Sequence, residues 1–282
     1  MAFGGVITAM VTPFREDGEL AEDAAAGLIA HLLANGSDGF VLAGTTGESA
    51  TLSDDEKVRL WEIGVAEAGA APVIAGTGSN DTRHTVELTE RAQEAGVSAA
   101  LVVTPYYNKP NRAGLKAHFR AVAESTDLPV LIYNIPSRSV IDMPNDLLAE
   151  LAQISNIVGV KQARYEDLAP IDGLDLLAGN DDVLAKVLGM GGTGGILVAS
   201  HLVGPEMHRI VEEPEARDEI QASLAPLLEA LTVAPLSASV KAALEMLGHD
   251  VGGLRLPLVA LSEDERAHIH AALEAQGLLE RV

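Results

Sequence analysis

Lys161 stands in the segment IVGVKQA (157–163), where every residue before it is apolar or glycine. A lysine among such neighbours loses the hydration of its ammonium. Its pKa falls, and the neutral amine becomes a nucleophile toward a carbonyl. At an ordinary pKa near 10.4 only about 0.1% of the amine is free at pH 7.4, whereas a pKa lower by about 3 frees about half of it, at a cost of about 4 kcal/mol. The chemistry this allows is imine formation, which turns a weakly acidic methyl group into a carbon nucleophile. A lysine snorkelling from a strand end is the alternative use of such a position.

Hydroxyl groups that could relay protons end other apolar runs: Tyr133 after PVLI, Tyr107 in TPYY and Thr45 in GTTGES. A tyrosine there can equally be a core residue with a wet tip, but three such groups in a chain with four tyrosines favour a relay. Arg138, in NIPSRS, is either a solvated surface charge, as loop arginines usually are, or, on an active-site loop of an acidic protein, a bidentate clamp for a substrate carboxylate. Glu48 could be a catalytic carboxylate. The reading preferred here is that it bonds to amides of its own loop and holds the threonines in place. The eight histidines form no metal set, since His268 and His270 lie two apart on a predicted helix and point in different directions.

Something must bring these residues together. Short apolar runs occur at 4–9, 38–43, 72–76, 98–103, 129–133, 157–161, 174–178 and 194–198. Each is too short for a helix and reads as a strand buried on both faces. Amphipathic stretches at 20–34, 53–68, 80–95, 111–125, 144–154, 181–189 and 204–213 separate them, with only a short turn near 165–170. Ser53 followed by Glu56 marks a helix start, and Gly96 a helix end. Eight strands alternating with helices predict a closed (β/α)8 barrel over 1–214. Helical patterns at 215–231, 236–247 and 262–276 predict a C-terminal helical extension over 215–282. In such a barrel the site lies where strands end, and that rule selects Lys161, Tyr133, Thr45 and Tyr107, with Gly179 at the end of the seventh strand. The competing doubly wound sheet lacks support, because GMGGTG (189–194) precedes an apolar run instead of joining a strand to a helix.

The composition narrows the function further. A formal charge of −22 opposes binding to nucleic acid, and any anionic substrate needs local cations. With no cysteine, disulfides, thiolate metal sites and a cysteine nucleophile are excluded. The opening MAFGGVITAMVTPF reads as a first strand and not a signal peptide. The longest uncharged stretch, 187–205, holds six glycines and reads as a strand between turns, not a membrane span.

The motifs AGTTGESATL, VIAGTGSN, VTPYYNKP, YNIPSRS, GVKQA and AGNDD, in this order and spacing, resemble the dihydrodipicolinate synthase and N-acetylneuraminate lyase family. The likeness runs from Gly5 to about Ser200 and fades to RLPLVALSEDE near the C-terminus. It implies a cytoplasmic, cofactor-free homotetramer, a dimer of dimers, condensing pyruvate with aspartate-4-semialdehyde in lysine and diaminopimelate biosynthesis. Lys161 then forms the pyruvate imine, and Tyr133 shuttles protons with Thr45 and with Tyr107 of a neighbouring subunit. Thr46 and the Ile196 backbone hold the pyruvate carboxylate, Gly179 joins the substrate-binding set, and Arg138 receives the second carboxylate. The PSR motif separates the synthase from the sugar-acid aldolases and the lyase of the same family. A non-catalytic oxo-acid-binding barrel is the rival from another class. Two departures stand out. APLSASVK after Val233 replaces a longer run containing Asn-Pro. At the family's lysine-effector site Asn80 and Tyr106 fit, but Lys57 and His84 stand where lysine-inhibited members tend to have histidine and glutamate. Like-charge repulsion at Lys57 and the missing glutamate predict weak or absent inhibition by lysine.

Overall fold

The computed structural model describes residues 3–279. Eight strands form a closed, all-parallel barrel: β1 (Gly5–Ala9), β2 (Gly39–Leu42), β3 (Val73–Gly76), β4 (Ala99–Val103), β5 (Val130–Asn134), β6 (Ile157–Gln162), β7 (Asp175–Ala178) and β8 (Gly194–Leu197). Each pairs with its sequence neighbour, and β1 closes on β8 through Ile7 and Ile196. The expected (β/α)8 barrel is therefore the fold. Each strand lies at or within a residue of the apolar run that predicted it. Such runs form strands because both faces are covered, one by the barrel interior and one by the helices. All of β2 and β8, for instance, is buried.

The helices around the sheet are α1 (Glu22–Ala34), α2 (Asp54–Glu67), α3 (Thr82–Glu94) and α4 (Arg112–Glu124). They are followed by α5 (Pro136–Ser139), α6 (Asn145–Leu151), α7 (Leu184–Gly189) and α8 (Ser200–Glu212). The predicted signals act as physics requires. Ser53 and Glu56 exchange backbone and side-chain bonds in a capping box, and Gly96 takes the left-handed conformation after α3. GMGGTG follows α7 and leads into β8, so it joins a helix to a strand. Several boundaries differ from expectation: α6 ends at Leu151 and not at 154, and α7 begins at Leu184 after a 3-10 turn over Asp181–Val183. The segment around Arg138 forms the one-turn helix α5, nucleated by Pro136 at its first position. Helix α8 begins at Ser200, ahead of the expected 204, and is kinked at Val203 just before Pro205.

After α8 come α9 (Arg217–Ala230), α10 (Leu236–Met246) and α11 (Glu263–Ala275). Helix α9 packs on α7 and α8, and α11 packs across α9 and α10. Leu224, Leu227 and Leu231 carry the buried stripe that holds this layer to the barrel. No single helix among the described residues is long and apolar enough to cross a membrane.

Candidate active site

The register of two neighbouring strands builds the centre of the site. Tyr133 of β5 is paired with Lys161 of β6, so the two side chains project from the same face near the strand ends. The Lys161 Nζ lies 4.3 Å from the centre of the Tyr133 ring, and both residues are buried. Burial drives the Lys161 amine down to about 8; Asp181 opposes that fall and Arg138 reinforces it. Burial pushes the Tyr133 phenol up to about 12, against the Arg138 charge and a hydrogen bond with the Thr45 side chain. Thr45 enters from the loop after β2, so three strands supply an amine, a phenol and a hydroxyl to one place.

The loop after β5 is held by Asn134. Its Nδ2 donates to Asp142 Oδ1 at 2.7 Å and to Gln162 Oε1 at 2.8 Å, while its Oδ1 accepts from the Met143 amide at 3.1 Å. These bonds close residues 134–143 into a compact arch and set α5 over the barrel mouth. Arg138 on this arch is exposed and forms no ion pair among the described residues. Its guanidinium faces a cleft of about 580 Å³ lined also by Thr45, Thr46, Tyr133, Lys161 and Gly179. The volume suits a small ligand. Ala225, Leu228 and Ser237 close one side, so the C-terminal helices form part of the wall.

Residues 2–276 match the profile of the Dihydrodipicolinate synthetase family. The chain belongs to this family. It is 42% identical to 4-hydroxy-tetrahydrodipicolinate synthase 1 of Halalkalibacterium halodurans, over 98% of each chain. It is 43% identical to the 4-hydroxy-tetrahydrodipicolinate synthase of Bacillus subtilis, over 97% of this chain and 99% of that one. Among solved structures, DHDPS from Cyanidioschyzon merolae with lysine bound aligns at a TM-score of 0.94 and 40% identity, covering 98% of this chain and 99% of that one. Membership of the dihydrodipicolinate synthetase family makes the chain an enzyme of the lyase class.

Not every expected residue reaches the cleft. Tyr107 is 87% exposed with φ of 73°, and it does not line the cleft of its own chain. Ile196 is fully buried within β8 and paired with Ile7, and Val198, two residues on, lines the cleft. Glu48 departs from its expected bonding. Its Oε1 accepts from Lys241 Nζ at 2.8 Å and its Oε2 from the Arg255 amide at 3.0 Å, so its partners belong to the C-terminal segment and not to its own loop. Lys241 also donates to the Gly253 carbonyl at 2.6 Å and sits over the Phe14 ring. Lys241 lies in the APLSASVK segment that departs from the family pattern, and nothing local in sequence ties it to Glu48, 193 positions away.

The four effector-site residues fall into two couples. The Asn80 carbonyl accepts from Asn108 Nδ2 at 2.7 Å, and the Asn108 amide donates to the carbonyl of the exposed Tyr106 at 2.9 Å. His84 Nε2 lies 2.9 Å from one oxygen of Asp54, and Lys57 Nζ 3.3 Å from the other. The expected repulsion between Lys57 and an incoming ammonium is therefore tempered by Asp54, which the sequence reading did not single out. The same reading passed over Asp181. AGNDD marks a carboxylate at a strand end, but only the fold distinguishes Asp181, bonded inward to β8, from the exposed Asp182.

The Glu48–Lys241 pair is almost completely removed from water, so losing one partner strands a charge. Lys241→Met should cost about 3–5 kcal/mol in urea unfolding, and the double variant E48L/K241M should recover part of that loss. Additive losses in the two substitutions would show that the pair carries no coupling.

Proposed function

We propose that this enzyme condenses pyruvate with aspartate-4-semialdehyde, the reaction for which its relatives are named 4-hydroxy-tetrahydrodipicolinate synthase. The observation that carries the reading is the buried Lys161 amine, held near pKa 8 beside a Tyr133 phenol that is bonded to Thr45. The neutral amine adds to the pyruvate C2 carbonyl. Loss of water gives the iminium, and loss of a methyl proton gives the enamine. The enamine carbon attacks the aldehyde, whose oxygen takes up a proton. The amino group of the second substrate then adds to the iminium carbon, closes the ring and expels Lys161. Tyr133, a weak acid next to Thr45, is placed to pass protons at each stage. Thr46 and Gly179 line the cleft where pyruvate would sit, and Arg138 supplies the fork for the second carboxylate.

Tyr107 enters this scheme as the residue lent by a neighbouring copy. Its left-handed backbone supports that role, because strained backbone persists where the position serves a function, and its exposure leaves the phenol free to reach another copy. The proposal accordingly includes a homotetramer built as a dimer of dimers, and the cytoplasmic location that goes with a biosynthetic role.

Borohydride with pyruvate should inactivate the enzyme and modify Lys161 alone. Peptide mapping that finds another lysine labelled, or no label, removes the imine assignment.

Measured at a pH well above the Lys161 pKa, where loss of the Arg138 charge no longer changes the free amine, Arg138→Ala should leave pyruvate trapping close to normal but weaken use of the aldehyde by roughly 10- to 150-fold, the effect of about 1.5–3 kcal/mol of charge-assisted bonding. Equal losses in both half-reactions would mean that Arg138 supports the whole site.

Free lysine should inhibit weakly or not at all. Its ammonium needs an anion away from water, and Asp54, the carboxylate at hand, is already shared by His84 and Lys57. In a condensation assay titrated with L-lysine, half-inhibition below about 1 mM, equivalent to about −4 kcal/mol of binding, contradicts this.

A further inference from the structure

The parallel ladder between β7 and β8 ends at Ala178 and Gly195, so the backbone beyond it must find other hydrogen-bond partners. Asp181, just past β7, supplies them. Its Oδ1 accepts from the amides of Val198 at 2.8 Å and Ala199 at 2.9 Å. The Val198 carbonyl is held by His201, whose Nδ1 donates at 2.7 Å while its Nε2 accepts from the Val11 amide at 3.1 Å. Both polar backbone groups of Val198 are thus fixed by side chains, and Val198 lines the cleft. Asp181 is itself anchored, its carbonyl accepting from Gln221 Nε2 of α9 at 3.1 Å.

We propose that Asp181 is a positioning residue for the imine chemistry: one carboxylate oxygen fixes the chain leaving β8 while the negative charge is set against the Lys161 amine across the cleft that both residues line. This rests on Lys161 being the imine-forming residue. The charge matters because the iminium that precedes the enamine is a cation, whereas the amine that attacks pyruvate is neutral. Asp181 therefore provides a counter-charge for the intermediate and, in the resting enzyme, limits how far burial lowers the amine. Lys161 also faces Tyr133 of β5 and Arg138 of α5; Tyr165, Asp182 and Glu229 line the cleft farther along. Withdrawal from water pushes the Asp181 carboxyl up, against the pull of the two amides and of Lys161.

Asp181→Asn separates the two roles, because an amide oxygen still accepts both backbone bonds but carries no charge. The readout is the pH dependence of borohydride trapping with pyruvate. Removing the anion lowers the Lys161 pKa, so the acid limb should move down by about half a pH unit or more, with roughly threefold more free amine on that limb. A profile coincident with that of the unsubstituted enzyme overturns the proposal and leaves imine formation intact. If the unsubstituted enzyme traps no pyruvate, the imine reading falls, and this proposal with it. Should Asp181→Asn fail to fold, the reciprocal measurement decides. In Lys161→Met, carbon NMR of labelled aspartate should show the Asp181 carboxyl titrating at higher pH than in the intact enzyme, and an unchanged titration overturns the proposal.

Discussion

An amine inside the mouth of a closed parallel barrel cannot keep the water shell that stabilises its charge, and the rest of this site follows from that loss. The burial that lowers Lys161 to about 8 corresponds to about 3 kcal/mol of disfavoured ammonium relative to water. Two nearby charges then set the balance with opposite signs, Asp181 holding the proton on and Arg138 driving it off. The same dry environment raises Tyr133 to about 12, which keeps the phenol protonated beside Thr45 and available to give a proton. Burial thus makes the lysine a better nucleophile and keeps the tyrosine a proton carrier, through one physical term acting on two kinds of group.

Holding those groups in place falls to the strand ladder and to a few long-range bonds. The β5–β6 register aligns Tyr133 with Lys161 without any loop taking part. The loop carrying Thr45 and Thr46 is anchored differently. Glu48, just beyond the threonines, reaches Lys241 of α10 and the Arg255 amide, and Arg255 in turn pairs with Glu56 at the start of α2. The C-terminal helices are therefore bonded to the loop that presents the hydroxyl, besides walling the cleft.

What could be read in the sequence was what depends on local pattern. The eight apolar runs became the eight strands because length and double-sided burial leave few other choices, and the rule that barrel sites lie at strand ends points to Lys161, Tyr133, Thr45 and Gly179, which line the cleft, and to Tyr107, which does not line that of its own chain. The misses are contacts between residues distant in the chain. Glu48 reads in sequence as a carboxylate bonded to its own loop, but its partner Lys241 is 193 positions away. Asp54 pairs with Lys57 three residues on, a spacing legible on a helix, but its contact with His84 lies 30 positions away. Asp181 was quoted within a motif, yet its bonds run to Val198 and Ala199, a pairing that exists only once β7 and β8 lie side by side.

The central claim is that burial leaves Lys161 largely deprotonated in mildly alkaline solution. The rate of pyruvate imine formation, followed in single turnover across pH, reads this directly. The neutral amine is the reactive form, so the rate should fall about tenfold per pH unit below the amine's pKa and level off above it. A midpoint near pH 8 is the predicted result. A rate still rising steeply beyond pH 10 would show that Lys161 keeps the proton affinity of a solvated lysine, and would contradict the account.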